Sequence, residues 1–96
     1  MAVTSTETAL ADVLAALSDP VRLSIVRTLA ADPEGRPCGS FGLPVAKSTA
    51  SHHFRVLREA GVIDQEDRGR IRHTTLRRDE LDERFPGLLD LVLREG

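Results

Sequence analysis

Ninety-six residues, 41% hydrophobic and 29% charged, suit one folded domain: too short for two independent cores and too apolar for a disordered chain. A single cysteine, Cys38, excludes an internal disulfide framework, and no apolar run approaches the roughly 20 residues that a membrane span needs. The formal net charge is −2, yet residues 47–78 hold eight basic and four acidic side chains, a local +4, together with all three histidines. A phosphate-facing surface needs a local positive field rather than a high overall pI, so nucleic acid stays open as a partner. The N-terminus lacks a basic-then-apolar leader pattern, and a reducing cytoplasm is the expected location.

Residues 4–17 read as a first helix, with Ala9, Leu10, Val13, Leu14 and Leu17 forming a stripe that must be covered. Asp19-Pro20 is a start signal for a second helix, an acceptor at the cap followed by proline in the first helical position. Val21, Ile25, Val26 and Leu29 supply its inner face, and Asp32-Pro33 ends it. Arg22 is expected on the surface, where it could also reach a phosphate.

Residues 33–44 hold three prolines and three glycines, which forbid a long helix. One turn at most fits, around Ser40–Leu43, with Phe41 and Leu43 anchoring it. Residues 48–60 then form a short helix, with Ser48 as N-cap and Gly61 as the left-handed stop. At about 100° per residue, Ala50, Phe54 and Leu57 fall on one side and Ser48, Ser51, His52, Arg55 and Glu59 on the other. The second side is small, polar and basic near its start, as a helix entering a DNA major groove requires. A merely solvated face is the competing reading; the helix before and the basic hairpin after weigh against it.

Residues 62–77 carry two β-capable runs flanking the turn Asp67-Arg68-Gly69-Arg70, where glycine supplies a positive φ. Arg68, Arg70 and Arg72 either keep this hairpin soluble or, as a wing, meet phosphates or the adjacent minor groove. Residues 79–94 form the last helix, with an apolar band that Pro86-Gly87 should kink or break. A domain this small has little surface on which to bury both terminal stripes. Leu10, Val13, Leu14, Leu81, Phe85, Leu88, Leu89 and Val92 are therefore expected at a two-fold homodimer interface, the alternative being that the last helix closes the core of the monomer.

The expected fold is mainly α with a small β-hairpin: a single winged helix-turn-helix domain over 1–96, with the helix-turn-helix at 40–60 and the wing at 62–77. Residues 4–17 and 79–94 would be its dimerisation helices.

The run Leu17-Ser-Asp-Pro-Val-Arg-Leu-Ser-Ile-Val-Arg-Thr-Leu29, followed by Ser48-Thr-Ala-Ser-His-His-Phe-Arg-Val-Leu-Arg-Glu-Ala-Gly-Val-Ile63, resembles the ArsR/SmtB-type winged helix-turn-helix repressors. The resemblance implies a homodimeric bacterial repressor of an inverted-repeat operator in double-stranded DNA, its reading helix starting at Ser48 and its wing tipped by Asp67–Arg70. Ser48, Thr49, Ser51 and His52 would then contact bases or phosphates, while Lys47, Arg55, Arg68, Arg70 and Arg72 supply phosphate affinity. His53 stands where the family has its helix histidine and, bordering the core, reads as structural.

The chain also departs from that family. Many members sense a metal through a cysteine pair before the reading helix, where only Cys38 stands here, or through ligands in the last helix, where residues 79–96 hold no histidine or cysteine. A non-metal-sensing member without cofactor is expected. Cys38 reads either as a small buried hydrophobe or as an oxidisable thiol, which leaves room for a small-molecule or redox effector. Catalysis is not expected, since Cys38 with His52 or His53 is the one conceivable pair and no phosphate loop, paired-carboxylate cleft or nucleophile elbow accompanies it. The rival function is a protein-interaction module, which would dock a partner through its apolar terminal helices without binding DNA.

Overall fold

Local chemistry sets where the helices begin and end. In the computed structural model, which describes residues 9–95, helix α1 spans Leu10–Ala16 and α2 spans Pro20–Ala30. Residues 4–8 of the expected first helix lie outside the described residues. At the start of α2, Asp19 accepts from the backbone amides of Val21 at 2.8 Å and Arg22 at 3.1 Å. These bonds, the Arg22 amide foremost, hold the Asp19 carboxyl below the ordinary carboxylate range.

Between α2 and the next helix the chain makes a two-residue strand β1 (Arg36–Pro37) and one 3-10 turn (Cys38–Ser40), two residues before the expected Ser40–Leu43. Phe41 and Leu43 pack against the core as expected. The strand is not foreshadowed in the sequence because its partners lie far along the chain: Arg36 pairs with Thr74 and Pro37 with His73. Gly35 permits this approach, with φ of +82° and with space for a Cβ closed by the Thr74 carbonyl oxygen at 2.4 Å.

Helix α3 (Lys47–Glu59) starts one residue before Ser48, and its N-cap is Ala46, which offers no side-chain bond. Val45, one residue before the cap, lines one groove with Ala50 and Phe54, and no side-chain hydroxyl caps the first turn. At the other end Gly61 takes φ of +83°, its amide donating to Arg58 O at 3.1 Å and the Val62 amide to Leu57 O at 2.9 Å. This paired closure is a Schellman motif, and it turns the chain directly into β2.

Strands β2 (Ile63–Arg68) and β3 (Ile71–Leu76) pair antiparallel from Ile63↔Leu76 to Arg68↔Ile71, giving the sheet order β1-β3-β2. The hairpin loop is only Gly69-Arg70, with φ of +67° at Gly69, so Asp67 and Arg68 belong to β2 rather than to the turn. Pro86-Gly87 breaks the last helix outright into α4 (Arg78–Arg84) and α5 (Leu88–Glu95).

The core is aliphatic apart from Phe54, and joins Val13 and Ala16 of α1, Ile25, Val26 and Leu29 of α2, Leu57 of α3, Val62, Ile63, Leu81 and Leu89. Three residues expected at a dimer interface are thereby corrected: Val13, Leu81 and Leu89 are fully covered within one subunit and cannot touch a second copy. Phe85, Leu88 and Val92 are half-buried against the same core, whereas Leu10 and Leu14 stay 46% and 48% exposed. Neither simple alternative holds, because each terminal helix divides its apolar residues between core and surface.

Replacing Gly61 with alanine puts a Cβ on a left-handed residue, and the denaturant midpoint should drop by the equivalent of about 1–2 kcal/mol at unchanged slope. Asp19→Ala should also destabilise at neutral pH. Because the folded carboxyl titrates below its unfolded value, its contribution is present above the unfolded pKa and vanishes as pH falls through the folded one. Wild type and Asp19→Ala should therefore converge in thermal midpoint under acid, and a constant gap would contradict the cap.

Candidate nucleic-acid interface

Helix α3 docks through Phe54 and Leu57, with Phe41 meeting the Phe54 ring edge-on at a centroid distance of 5.2 Å. This contact commits one face, and the 100° step then determines what the other presents. Lys47, Ser48, Thr49, Ser51, His52 and Arg55 are all exposed. His53, one residue on, is 8% exposed, and its Nδ1 lies 3.0 Å from the Arg22 guanidinium. The same guanidinium donates from Nε to Ala16 O at 2.7 Å, so Arg22 faces the end of α1 rather than solvent or a phosphate.

The outer face of α3 and the wing converge. Ser48, Ser51, His52, Arg55, Arg58 and Arg72 surround one shallow depression of about 310 Å³, and Arg58 and Arg72 continue into a second with Gln65 and Asp67. Arg58 had no signal of its own in the sequence, since on the wheel it borders the buried side. Its role comes from the fold: Arg58 Nη1 donates to Gln65 Oε1 at 2.6 Å, and Gln65 Nε2 donates to the buried Thr74 Oγ1 at 3.2 Å. That relay ties α3 to both long strands of the wing.

The arginines of the wing are not equivalent. Arg68 is paired with Glu66 and Arg72 with Asp67, each at 2.9 Å, and the Asp67 bond and charge raise the pKa of Arg72 above its usual value. Exposed pairs of this kind are weak and open to competition from a phosphate. Lys47, Arg55 and Arg70 carry no ion pair among the described residues. The positive field of the middle of the chain is thus spread over the start of α3, its outer face and the hairpin tip.

Cys38 is a free, half-buried thiol packed against the core, and it lines a groove of about 360 Å³ with Phe41, Leu43, Val45 and the inner edge of α3. Among the described residues no group of three or more His, Cys, Asp or Glu side chains could hold a metal ion, and no helix is long and apolar enough to cross a membrane.

A helix offering small polar groups beside an arginine-tipped hairpin on a three-helix core defines a winged helix-turn-helix protein. Comparison with known proteins agrees. Residues 17–66 match a helix-turn-helix domain family, and the chain is 38% identical over 84 residues to the uncharacterized HTH-type transcriptional regulator YceK of Bacillus subtilis, covering 85% of this chain and 84% of that one. The fold superposes on the crystal structure of an ArsR family transcriptional regulator with a TM-score of 0.72 at 19% identity, covering 85% and 90% of the two chains. A possible transcriptional regulator for arsenical resistance superposes with a TM-score of 0.63 at 26% identity, covering 88% and 96%. The chain belongs to the helix-turn-helix transcriptional regulators, is a DNA-binding regulator, and has the fold of the ArsR family structure.

The relay is open to direct measurement. Gln65→Ala strands the buried Thr74 hydroxyl and frees Arg58, so stability should fall by about 1 kcal/mol. Amide exchange along β2 and β3 should accelerate more than along α2, and uniform exchange across the chain would show that the relay does not hold the wing.

Proposed function

We propose that this regulator is a dimeric repressor that reads an inverted repeat, with Ser51 and His52 addressing base edges and the first turn of α3 and the wing holding phosphates. The observation that supports this most is the shared outward face: Ser48, Ser51, His52 and Arg55 are uncovered and stand around one depression with Arg72 of the wing. Lys47, Ser48, Thr49 and Arg55 would meet the backbone flanking the groove, and Arg68, Arg70 and Arg72 the next stretch of backbone or the minor groove. Arg68 and Arg72 would exchange Glu66 and Asp67 for phosphate on binding, whereas Arg70 has no ion pair to give up among the described residues.

Dimerisation is supported by what the terminal helices leave out of the core: Leu10 and Leu14 of α1 and Leu91 of α5 are each nearly half exposed. A two-fold axis through such a patch would set two α3 helices about 34 Å apart, one turn of DNA. The repressor role rests on the resemblance to the ArsR/SmtB-type repressors.

Selection of duplexes from a random pool with the purified protein should enrich a palindrome. Affinity for it should fall steeply with salt. His52→Ala should cut the preference for the selected over a scrambled duplex by about tenfold, the loss of one base contact. Arg70→Ala should weaken both duplexes alike and lower the salt slope by about 1. Leu14→Glu should elute as a monomer and lose the palindrome preference. A wild-type monomer without duplex affinity at ~50 mM salt would overturn the proposal in favour of a protein-interaction module.

A further inference from the structure

The geometry points to Arg22 and His53 as a proton-sensitive brace that fixes the rotation of α3 about its axis, and thereby as positioning residues for the DNA-reading face. This rests on the repressor reading above, but its first test does not need DNA.

Arg22 spans three helices. It belongs to α2, it donates from Nε to Ala16 O at 2.7 Å and from Nη2 to Ala15 O at 3.5 Å at the end of α1, and its Nη1 meets His53 Nδ1 of α3 at 3.0 Å. Ala15 O also accepts from the amide and hydroxyl of Ser18, at 3.2 and 2.7 Å, so the bond to Ala16 O is the firmer hold of Arg22 on α1, and a guanidinium suits a helix C-terminus in charge as well. A guanidinium has donors only, so the bond to His53 exists only when Nδ1 carries a lone pair. The ring is then neutral, with its proton on Nε2.

Of the other anchors of α3, Phe54 and Leu57 are apolar and oppose roll only through packing, and the directional one, Arg58 to Gln65, holds the flank that faces the wing. Side-chain tips stand about 6 Å from a helix axis, so a roll of about 10° shifts Ser51 and His52 by about 1 Å against a base edge. The Arg22 bond is directional and lies on the flank of the helix next to His52, whose ring is 5.8 Å from that of His53. With the Arg58–Gln65 bond on the other flank, it resists that roll.

Protonation of His53 removes the acceptor and opposes an Nδ1–H to an N–H of a second cation. The surrounding charges can soften but not restore the contact. Asp19, at the start of α2, acts on His53 through its charge, while Asp12 of α1 and Glu59 of α3 line the depression beside Arg22. None of them replaces the lone pair that Arg22 requires. Acidification that protonates His53 should therefore loosen α3 while the apolar core stays closed.

Two-bond proton–nitrogen spectra of protein labelled with ring-¹⁵N histidine should show His53 at pH 7.5 as the neutral tautomer protonated at Nε2. A proton on Nδ1 at that pH overturns the brace outright. The functional arm uses the duplex enriched by wild type, with a scrambled duplex as reference, at fixed salt. Between pH 7.5 and 5.5 the wild-type preference for the enriched duplex should fall about tenfold, as expected for loss of a hydrogen bond to a charged group. His53→Asn, whose Oδ1 can accept near the position of Nδ1 and does not titrate, should keep its preference within about threefold over that range. Since His52 is unchanged in both proteins, a parallel decline would assign the pH effect elsewhere and overturn the proposal. His53→Ala and Arg22→Ala should show the reduced preference at both pH values, with circular dichroism confirming that they are folded. Should no duplex be enriched, the repressor reading fails on its own, and the amide shifts of residues 48–51 decide the brace: between pH 7.5 and 5.5 they should move clearly further in wild type than in His53→Asn, and equal movement in both overturns it.

Discussion

The arrangement of this protein depends on how the apolar side of α3 is seated in the core. Phe54 and Leu57 enter the core, and the edge of Phe41 on Phe54 closes the gap where a longer supporting helix would otherwise lie. The proline- and glycine-rich run before α3 has only a single 3-10 turn to offer. Support therefore comes from individual side chains: Phe41 and Leu43 below, and Val45 beside the first turn. An apolar edge so narrow leaves the outer face free of any structural duty. Small hydroxyls can be kept there at no cost in burial, and that freedom permits a surface suited to hydrogen bonding with a partner.

Charge follows the same division. The basic middle of the chain is tempered by Glu66 and Asp67, which hold Arg68 and Arg72 along the hairpin without burying any of the four. Partnered arginines lower the non-specific attraction to any polyanion, while unpaired Lys47, Arg55 and Arg70 retain steering. A surface in which every cation were free would adhere more strongly and discriminate less. The acidic ends of the chain, which bring the net charge to −2, add to that restraint.

Much of this was legible in the sequence, and what was legible was local. The Asp19 cap, the left-handed Gly61, the glycine at the hairpin tip and the break at Pro86-Gly87 each express backbone chemistry confined to a few residues. The faces of α3 followed from periodicity, and the exposure of Ser51 and His52 agrees with them. What escaped was set over distance. Strand β1 depends on partners nearly forty positions away, and Arg22 on a histidine 31 positions away, so neither leaves a mark in its own neighbourhood. The N-cap was misplaced as well: Ser48 is the better capping residue, but the helix already runs from Lys47, with Ala46 at the cap and Ser48 inside the first turn.

The terminal helices show why periodicity alone could not separate core from interface. A stripe at three- and four-residue spacing states that a face is apolar, not what covers it. In α1 the division falls between adjacent residues: Val13 is fully buried, and Leu14, about 100° further round, is half exposed. In α5 the division separates Leu89, buried, from Leu91, two residues on and half exposed. Each helix therefore contributes one edge to its own subunit and leaves a second uncovered. Whatever covers Leu10, Leu14 and Leu91 would bear on helices whose other edges meet the core that seats α3. Val13 and Ala16 thus join α1 to the same core as Phe54 and Leu57 of α3, and Arg22 adds a polar link between the two helices by grasping the last carbonyls of α1 and meeting His53.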